Sequence, residues 1–393
     1  MRRAKAKANA KADADANADA SASETADAKA AATAVPVRKQ SATSNDNRCS
    51  ALCECFDLAM SVILAVEHTT IYRYKRPVSF SEHRVAFHPR PAHDLKILSS
   101  GLEVSPHSKQ HWMHDAFSNS LAVVQPLLPA QELRFTARFS IEHLAVANQQ
   151  LPVSPEAETY PFEYSEERKL DLANFLQLQY PEDREAVAAW MAPCLPQRGR
   201  IHTRDVLVNI TEAIRSDFAY AARDAMGTQR PSQTLALRSG TCRDFALLMI
   251  EAVRGLGLAA RFVSGYIYDG ALDKDFAAGA VASDPAGAGA SASASASAAA
   301  AVAAAADKAH TIESRDIGGT RGSGATHAWL HVYLPGAGWI PFDPTNTLYG
   351  GTDLIRVAYT RTPEQAAPVS GSWMGEADDF ESMSVSVQVS RMA

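Results

Sequence analysis

Ser239-Gly240-Thr241-Cys242-Arg243-Asp244-Phe245-Ala246-Leu247-Leu248-Met249-Ile250-Glu251-Ala252-Val253-Arg254-Gly255 is the stretch on which the fold turns. Apolar residues at 245, 248, 249, 252, 253 and 256 recur at helical spacing, which predicts a helix with one face on a core. Gly255 and Gly257 end it. Thr241 takes the N-cap position, and Asp244 three residues on supplies the acid of a capping-box variant. Cys242 is then the first helical residue, where free backbone N–H groups and the helix dipole favour an anion. The expected consequence is an easier thiolate, the reactive form of cysteine. A small buried cysteine at a helix start is the plainer reading, and the downstream sequence weighs against it.

Thr326-His327-Ala328-Trp329-Leu330-His331-Val332-Tyr333-Leu334 alternates, so His327, Trp329, His331 and Tyr333 share one face of a strand and the apolar residues between them share the other. Pro335-Gly336-Ala337-Gly338 turns the chain, and 339–343 returns antiparallel. A four-residue loop would set Asp343 opposite Leu330, on the wrong face from His327. A five-residue loop or one bulge moves it opposite Trp329 or His331, on the right face and roughly 7 to 8 Å from His327 between backbones. An odd loop or a bulge is therefore expected. Asp343 would then accept from the imidazole, fix its tautomer and stabilise its charged form, and a nearby imidazolium would favour the Cys242 thiolate.

Gly240-Thr241-Cys242-Arg243-Asp244-Phe245-Ala246, Ser264-Gly265-Tyr266, His327-Ala328-Trp329 and Gly338-Trp339-Ile340-Pro341-Phe342-Asp343-Pro344-Thr345-Asn346 together resemble the core of the bacterial transglutaminase-like family, a branch of the papain-like thiol enzymes. His68-Thr69-Thr70-Ile71-Tyr72-Arg73-Tyr74 and Asp115-Ala116-Phe117-Ser118-Asn119 are similar to that family's N-terminal domain. The resemblance implies an α+β fold: a papain-like transglutaminase core, with the cysteine helix packed on an antiparallel sheet, behind an all-β sandwich-like domain. It implies Cys242 as nucleophile, His327 as general base and acid, and Asp343 as orienting acid. Leu247 stands where many relatives carry His.

The backbone N–H of Cys242 is the default oxyanion donor, and Tyr220 is either a second donor or a packed wall residue. The function expected is cysteine-dependent acyl transfer on an amide or peptide bond through a thioester, as a transglutaminase-like peptidase or amidase acting on a protein or peptide. Alternatives are a protein-glutamine transglutaminase with an amine acceptor, or a non-catalytic interaction module whose working surface is the β domain. Hydrolysis is preferred because nothing in the sequence announces a lysine-binding site or calcium loops. No cofactor is expected.

Composition frames this reading. A net charge of −6 and a pI near 6.1 give no basic footprint for nucleic acid. No apolar run approaches the ~18–20 residues of a membrane helix, and five scattered cysteines do not read as a disulfide framework. A cytoplasmic location, with no nucleic-acid or membrane partner, is the expectation.

Along the chain, 1–59 is an Ala-rich leader read as disordered, with Met60 as an alternative start. Residues 60–147 form the β-rich domain, with strands at 62–74, 85–88, 97–104, 121–124 and 133–144 and a linker at 152–161. The catalytic domain spans 160–362. Within it, 166–191 breaks at Tyr180-Pro181, 205–218 is helical, and 270–325 is a Gly/Ala/Ser-rich insertion. A β tail at 363–393 adds a strand to one of the sheets.

Weaker signals carry bland readings. His107, His111 and His114 have the i, i+4, i+7 spacing of a helical metal site but lie in β-like sequence, so exposed histidines are expected and no metal is assigned. Cys49, Cys53 and Cys55 lack a fourth ligand. His331 is a site-wall or surface residue, Arg243 a salt-bridge partner, and Trp329 and Trp339 are packing residues.

Overall fold

The computed structural model describes residues 61–144, 152–196, 199–221, 227–270, 320–321, 324–350 and 353–392. The leader with its three cysteines, and nearly all of the 270–325 insertion, lie outside them.

Six strands come first: β1 (Ser61–Phe80), β2 (His83–Val85), β3 (Leu95–Ser105), β4 (Ser108–His114), β5 (Ser120–Pro126) and β6 (Ala130–Leu144). They form two antiparallel sheets, β1-β6-β3 and β2-β5-β4. Tyr74, Phe80 and Leu133 from one sheet meet Val85 and Val124 from the other in a shared core, the two-layer solution for strands with one apolar face. The spaced histidines fall on and beside β4, an exposed edge strand, where His111 and His114 project to opposite faces. The helical spacing of the three is thus not used by a helix.

Short elements lead into the second region. β7 (Thr159–Tyr160) precedes α1 (Glu166–Asp171), α2 (Ala173–Leu176) and α3 (Arg184–Met191), with a 3-10 turn at Pro181–Asp183 where the Tyr180-Pro181 break was expected. β8 (Ile201–His202) pairs with β7, and α4 (Thr203–Asp217) buries Val206, Leu207, Ile210 and Ile214 along one face. β9 (Ala219–Tyr220), α5 (Pro231–Leu237) and β10 (Ser239–Gly240) then lead to α6 (Cys242–Gly255).

The sheet follows: β11 (Ala260–Ile267), β12 (His327–Leu334), β13 (Gly338–Asp343), β14 (Leu348–Tyr349) and β15 (Leu354–Thr360), in the order β14-β13-β12-β11-β15 and antiparallel throughout. Ala328, Leu330, Val332 and Leu334, the even face of β12, pack with Phe245, Leu248, Met249 and Ala252 of α6. The transglutaminase-like α+β core behind a β-rich domain is the architecture expected.

α6 departs from expectation in one respect. It is buried all round apart from Arg243 and the terminal Gly255, because α3, α4 and α5 cover the side turned from the sheet. Charged residues on that side therefore need internal partners. Glu251 accepts from the backbone N–H groups of Gln179 and Tyr180, and Arg254 donates to the carbonyls of Gln177, Ala260 and Arg361. The two also pair with each other at 3.6 Å, so removing one would strand the other charge in the core.

The C-terminal strands return to the first domain. β16 (Val369–Ser370) pairs with β2, β17 (Trp373–Met374) with the end of β1, and β18 (Phe380–Arg391) runs antiparallel to β1 from Leu64 to Tyr74. Among the described residues no helix is long and apolar enough to cross a membrane.

Candidate active site

Cys242 opens α6, and the turn before it is held by Asp244. Its carboxylate accepts from the N–H and the hydroxyl of Thr241 at 2.8 and 2.9 Å, and from the N–H of Gln229 at 2.7 Å. The capping role read from sequence is present, with one change: the threonine hydroxyl donates to the acid. Gly240 makes this tight turn possible, since a Cβ there would fall 2.9 Å from the Cβ of Asp244. The thiol is buried and free.

His327 begins β12 and Asp343 ends β13, and their side chains meet with Nε2 to Oδ2 at 2.8 Å. The register explains the meeting. Leu334 pairs with Gly338 and Leu330 with Phe342, so the hairpin loop has three residues, 335–337, and Asp343 falls in step with the His327 face. The loop is odd, as expected, with three residues in place of five, because positive φ at Gly336 and Gly338 tightens the turn. Gly336 also presses on the backbone of Pro152 and Ser154, where a Cβ would lie within 2.7 Å of Ser154 N.

Asp343 is held by more than the histidine. Asn346 Nδ2 donates to its Oδ2 at 2.9 Å and the Thr345 N–H to its Oδ1 at 2.9 Å. Asn346 also grips the backbone of Arg321, accepting its N–H at 2.8 Å and donating to its carbonyl at 3.1 Å, which ties the approach to His327 to the aspartate turn. The motif contained Asn346 without giving it a role. The signal was Pro344, which forces a turn after Asp343 and brings a side-chain amide back to it.

The electrostatics follow from these contacts. Burial lowers His327, but the charge and hydrogen bond of Asp343, with the Cys242 thiol, more than offset it and hold the imidazole above its ordinary value. Burial raises Asp343, and His327, Asn346 and the Thr345 N–H reverse this to keep it below the usual carboxylate range. The pair is an internal imidazolium–carboxylate. Nδ1, the other ring nitrogen, is buried without a conventional hydrogen bond and is the one left for the thiol.

Tyr220 is half-buried and pairs through β9 with Gly240, just ahead of the cysteine. Burial, then the charges of Cys242 and Asp343, raise its phenol, so it stays a donor. Its ring also leans on Phe245, 6.4 Å between centroids, and the wall and donor readings are therefore compatible. Arg243 reaches Thr326 Oγ1 at 3.5 Å. His331, expected at the site wall or surface, is instead buried four residues from the site, where its Nδ1 faces Arg261 at 3.2 Å. Arg261 lies between the rings of Trp339 and Tyr359, at 4.2 and 3.6 Å from their centroids.

Known families and folds match this chain. Residues 64–142 match the bacterial transglutaminase-like N-terminal region, and residues 197–344 match the transglutaminase-like superfamily. Rv2569c of Mycobacterium tuberculosis is 27% identical over 316 residues, covering 78% of this chain and 86% of that protein. ML0607 of Mycobacterium leprae is 22% identical over 333 residues, covering 84% and 99%. A solved structure from Cytophaga hutchinsonii, described as that of a candidate cysteine protease, superposes with a TM-score of 0.53 at 17% identity, over 85% of this chain and 92% of that one. At that identity the likeness is one of fold.

Proposed function

The chain belongs to the transglutaminase-like family, and on that footing we propose that it is a cysteine-dependent acyl-transfer enzyme that cleaves an amide or peptide bond. The observation that carries this reading is the buried His327–Asp343 pair beside a cysteine at a helix N-terminus. Cys242 attacks the carbonyl carbon as thiolate, and the oxyanion takes hydrogen bonds from the Cys242 backbone N–H and the Tyr220 hydroxyl. His327, as imidazolium, gives its proton to the departing nitrogen, and a thioester is left on sulfur. Neutral His327 then draws a proton from water as the water attacks the thioester; acid leaves, and the thiolate–imidazolium pair is restored. Asp343 keeps the ring oriented throughout and stabilises it whenever it carries the proton.

An amine in place of water would give transglutamination with the same residues, and water is the acceptor we propose. Thiol, imidazole and carboxylate supply every proton and electron pair, so no cofactor enters. Cys194 and Cys242 are both free thiols, which suits a reducing compartment, and we place the enzyme in the cytoplasm. The test is a panel of peptide amides with and without an amine acceptor, with Cys242→Ala as control. Turnover lost in the control, with a Cys242 thioester trapped by mass spectrometry, is expected. Equal release by both proteins would overturn the reading.

A further inference from the structure

The two N-terminal stretches singled out in the sequence, 68–74 and 115–119, turn toward the catalytic sheet. His68 on β1 is fully buried; its Nδ1 shares a 2.8 Å hydrogen bond with the hydroxyl of Tyr266 on β11, and its Nε2 a 3.0 Å bond with Thr70 Oγ1. The ring lies 3.9 Å from that of Phe87 and meets Tyr266 edge-on. Asn119, from the second stretch, accepts the N–H of Tyr359 at 2.9 Å and donates to its carbonyl at 2.8 Å, so a side-chain amide completes the outer edge of β15. Asp94 pairs with Arg356 on the same strand.

Tyr266 is one residue from Gly265, and Gly265 is the backbone partner of His327. There is no slack at this point. A Cβ on Gly265 would fall 2.0 Å from the carbonyl oxygen of Ile355 and 2.9 Å from the ring of Trp329, and Trp329 itself stacks at 24° on His327. β11 also changes register against β15 between Ser264 and Gly265, so its local path is not set by the sheet alone. What fixes it from outside is the Tyr266 side chain, clamped in the apolar seam of Leu64, Val66, Phe139 and Ile355 and tied by its hydroxyl to His68.

We infer that His68 and Tyr266 are positioning residues for His327, which makes the N-terminal domain a working part of the thiol site. A shift of β11 at Gly265 moves His327 with it, and catalytic pairs tolerate only about 0.5 Å of error. The inference rests on the proposed function. It also accounts for why a β domain is fused to the core: its two marked stretches hold the strands that carry the site.

The experiment measures iodoacetamide alkylation of Cys242 against pH in the full chain, for wild type, His327→Ala, Tyr266→Phe, His68→Asn and His68→Gln, with thermal melts alongside. Tyr266→Phe is expected to slow alkylation near pH 6 by about tenfold and to move the pH profile toward that of His327→Ala. An asparagine amide reproduces Nδ1 and a glutamine amide Nε2. His68→Asn should therefore stay within about threefold of wild type, while His68→Gln, which keeps Thr70 but loses Tyr266, should follow Tyr266→Phe. A purely structural role would track the melts and rank the two His68 variants by stability. Tyr266→Phe with wild-type rate and profile overturns the inference while leaving the thiol chemistry intact. A wild-type profile indifferent to His327→Ala overturns both.

Discussion

His327 and His331 stand four residues apart on one face of β12, both buried, and the protein charges one and leaves the other neutral. At one end Asp343 makes the imidazole a cation. At the other, burial, then the charges of Arg261 and Arg356, hold His331 well below its ordinary value, so it is neutral and accepts from Arg261. Strand, face and depth are the same; the neighbour decides. A histidine on this strand is held as a cation only where a carboxylate shares its turn.

The contrast can be broken most directly by truncation. His327→Ala should cut turnover on the order of 10⁵-fold, while His331→Ala should stay within about tenfold, measured as kcat/KM on one substrate. Comparable losses would mean that the strand, and not the carboxylate, makes the base. Asp343→Asn keeps the shape but not the charge, and should cost roughly 10³- to 10⁴-fold, mostly in kcat. Tyr220→Phe tests the oxyanion donor apart from both histidines, with an expected loss of about 10- to 100-fold in kcat and little change in KM.

Stability against pH gives the smallest and most discriminating effect. His331 is lowered in the fold, so the unfolded chain takes up its proton first, and stability falls as pH drops below about 6.5. His327 is raised, so its contribution is complete below about 6.5 and is lost as pH rises through its folded value. Urea melts from pH 5 to 9 should show His331→Phe flattening the acid side and His327→Phe the alkaline side, each by about 1.4 kcal/mol per unit of pKa displacement. The same sign for both would remove the contrast.

Local patterns made much of this legible. The stripe of α6, its cap at Thr241 and Asp244, and the parity of the 335–337 loop all depend on residues close in sequence, where spacing and backbone sterics decide. The α+β architecture was legible because the apolar periods change along the chain. What escaped were partners set by distant folding. Glu251 and Arg254 look like a solvated helix face until α3 and a loop cover them. His331 looked like a site-wall or surface residue because Arg261, seventy positions earlier, does not announce itself as a partner. The tail's alternation promised a strand, yet nothing in it says that β18 belongs beside β1.

That last pairing sets the order of events in synthesis. A ribosome makes the chain from the N-terminus, and early domains ordinarily fold as they emerge. Here β1 waits for β18, with about three hundred residues between them, so one edge of β1 stays unpaired until β18 has been made. His68 sits in that waiting strand, opposite Val387. A ribosome-bound chain stalled before residue 380 would therefore hold His68 on a stretch of strand paired with β6 alone, its other edge still open.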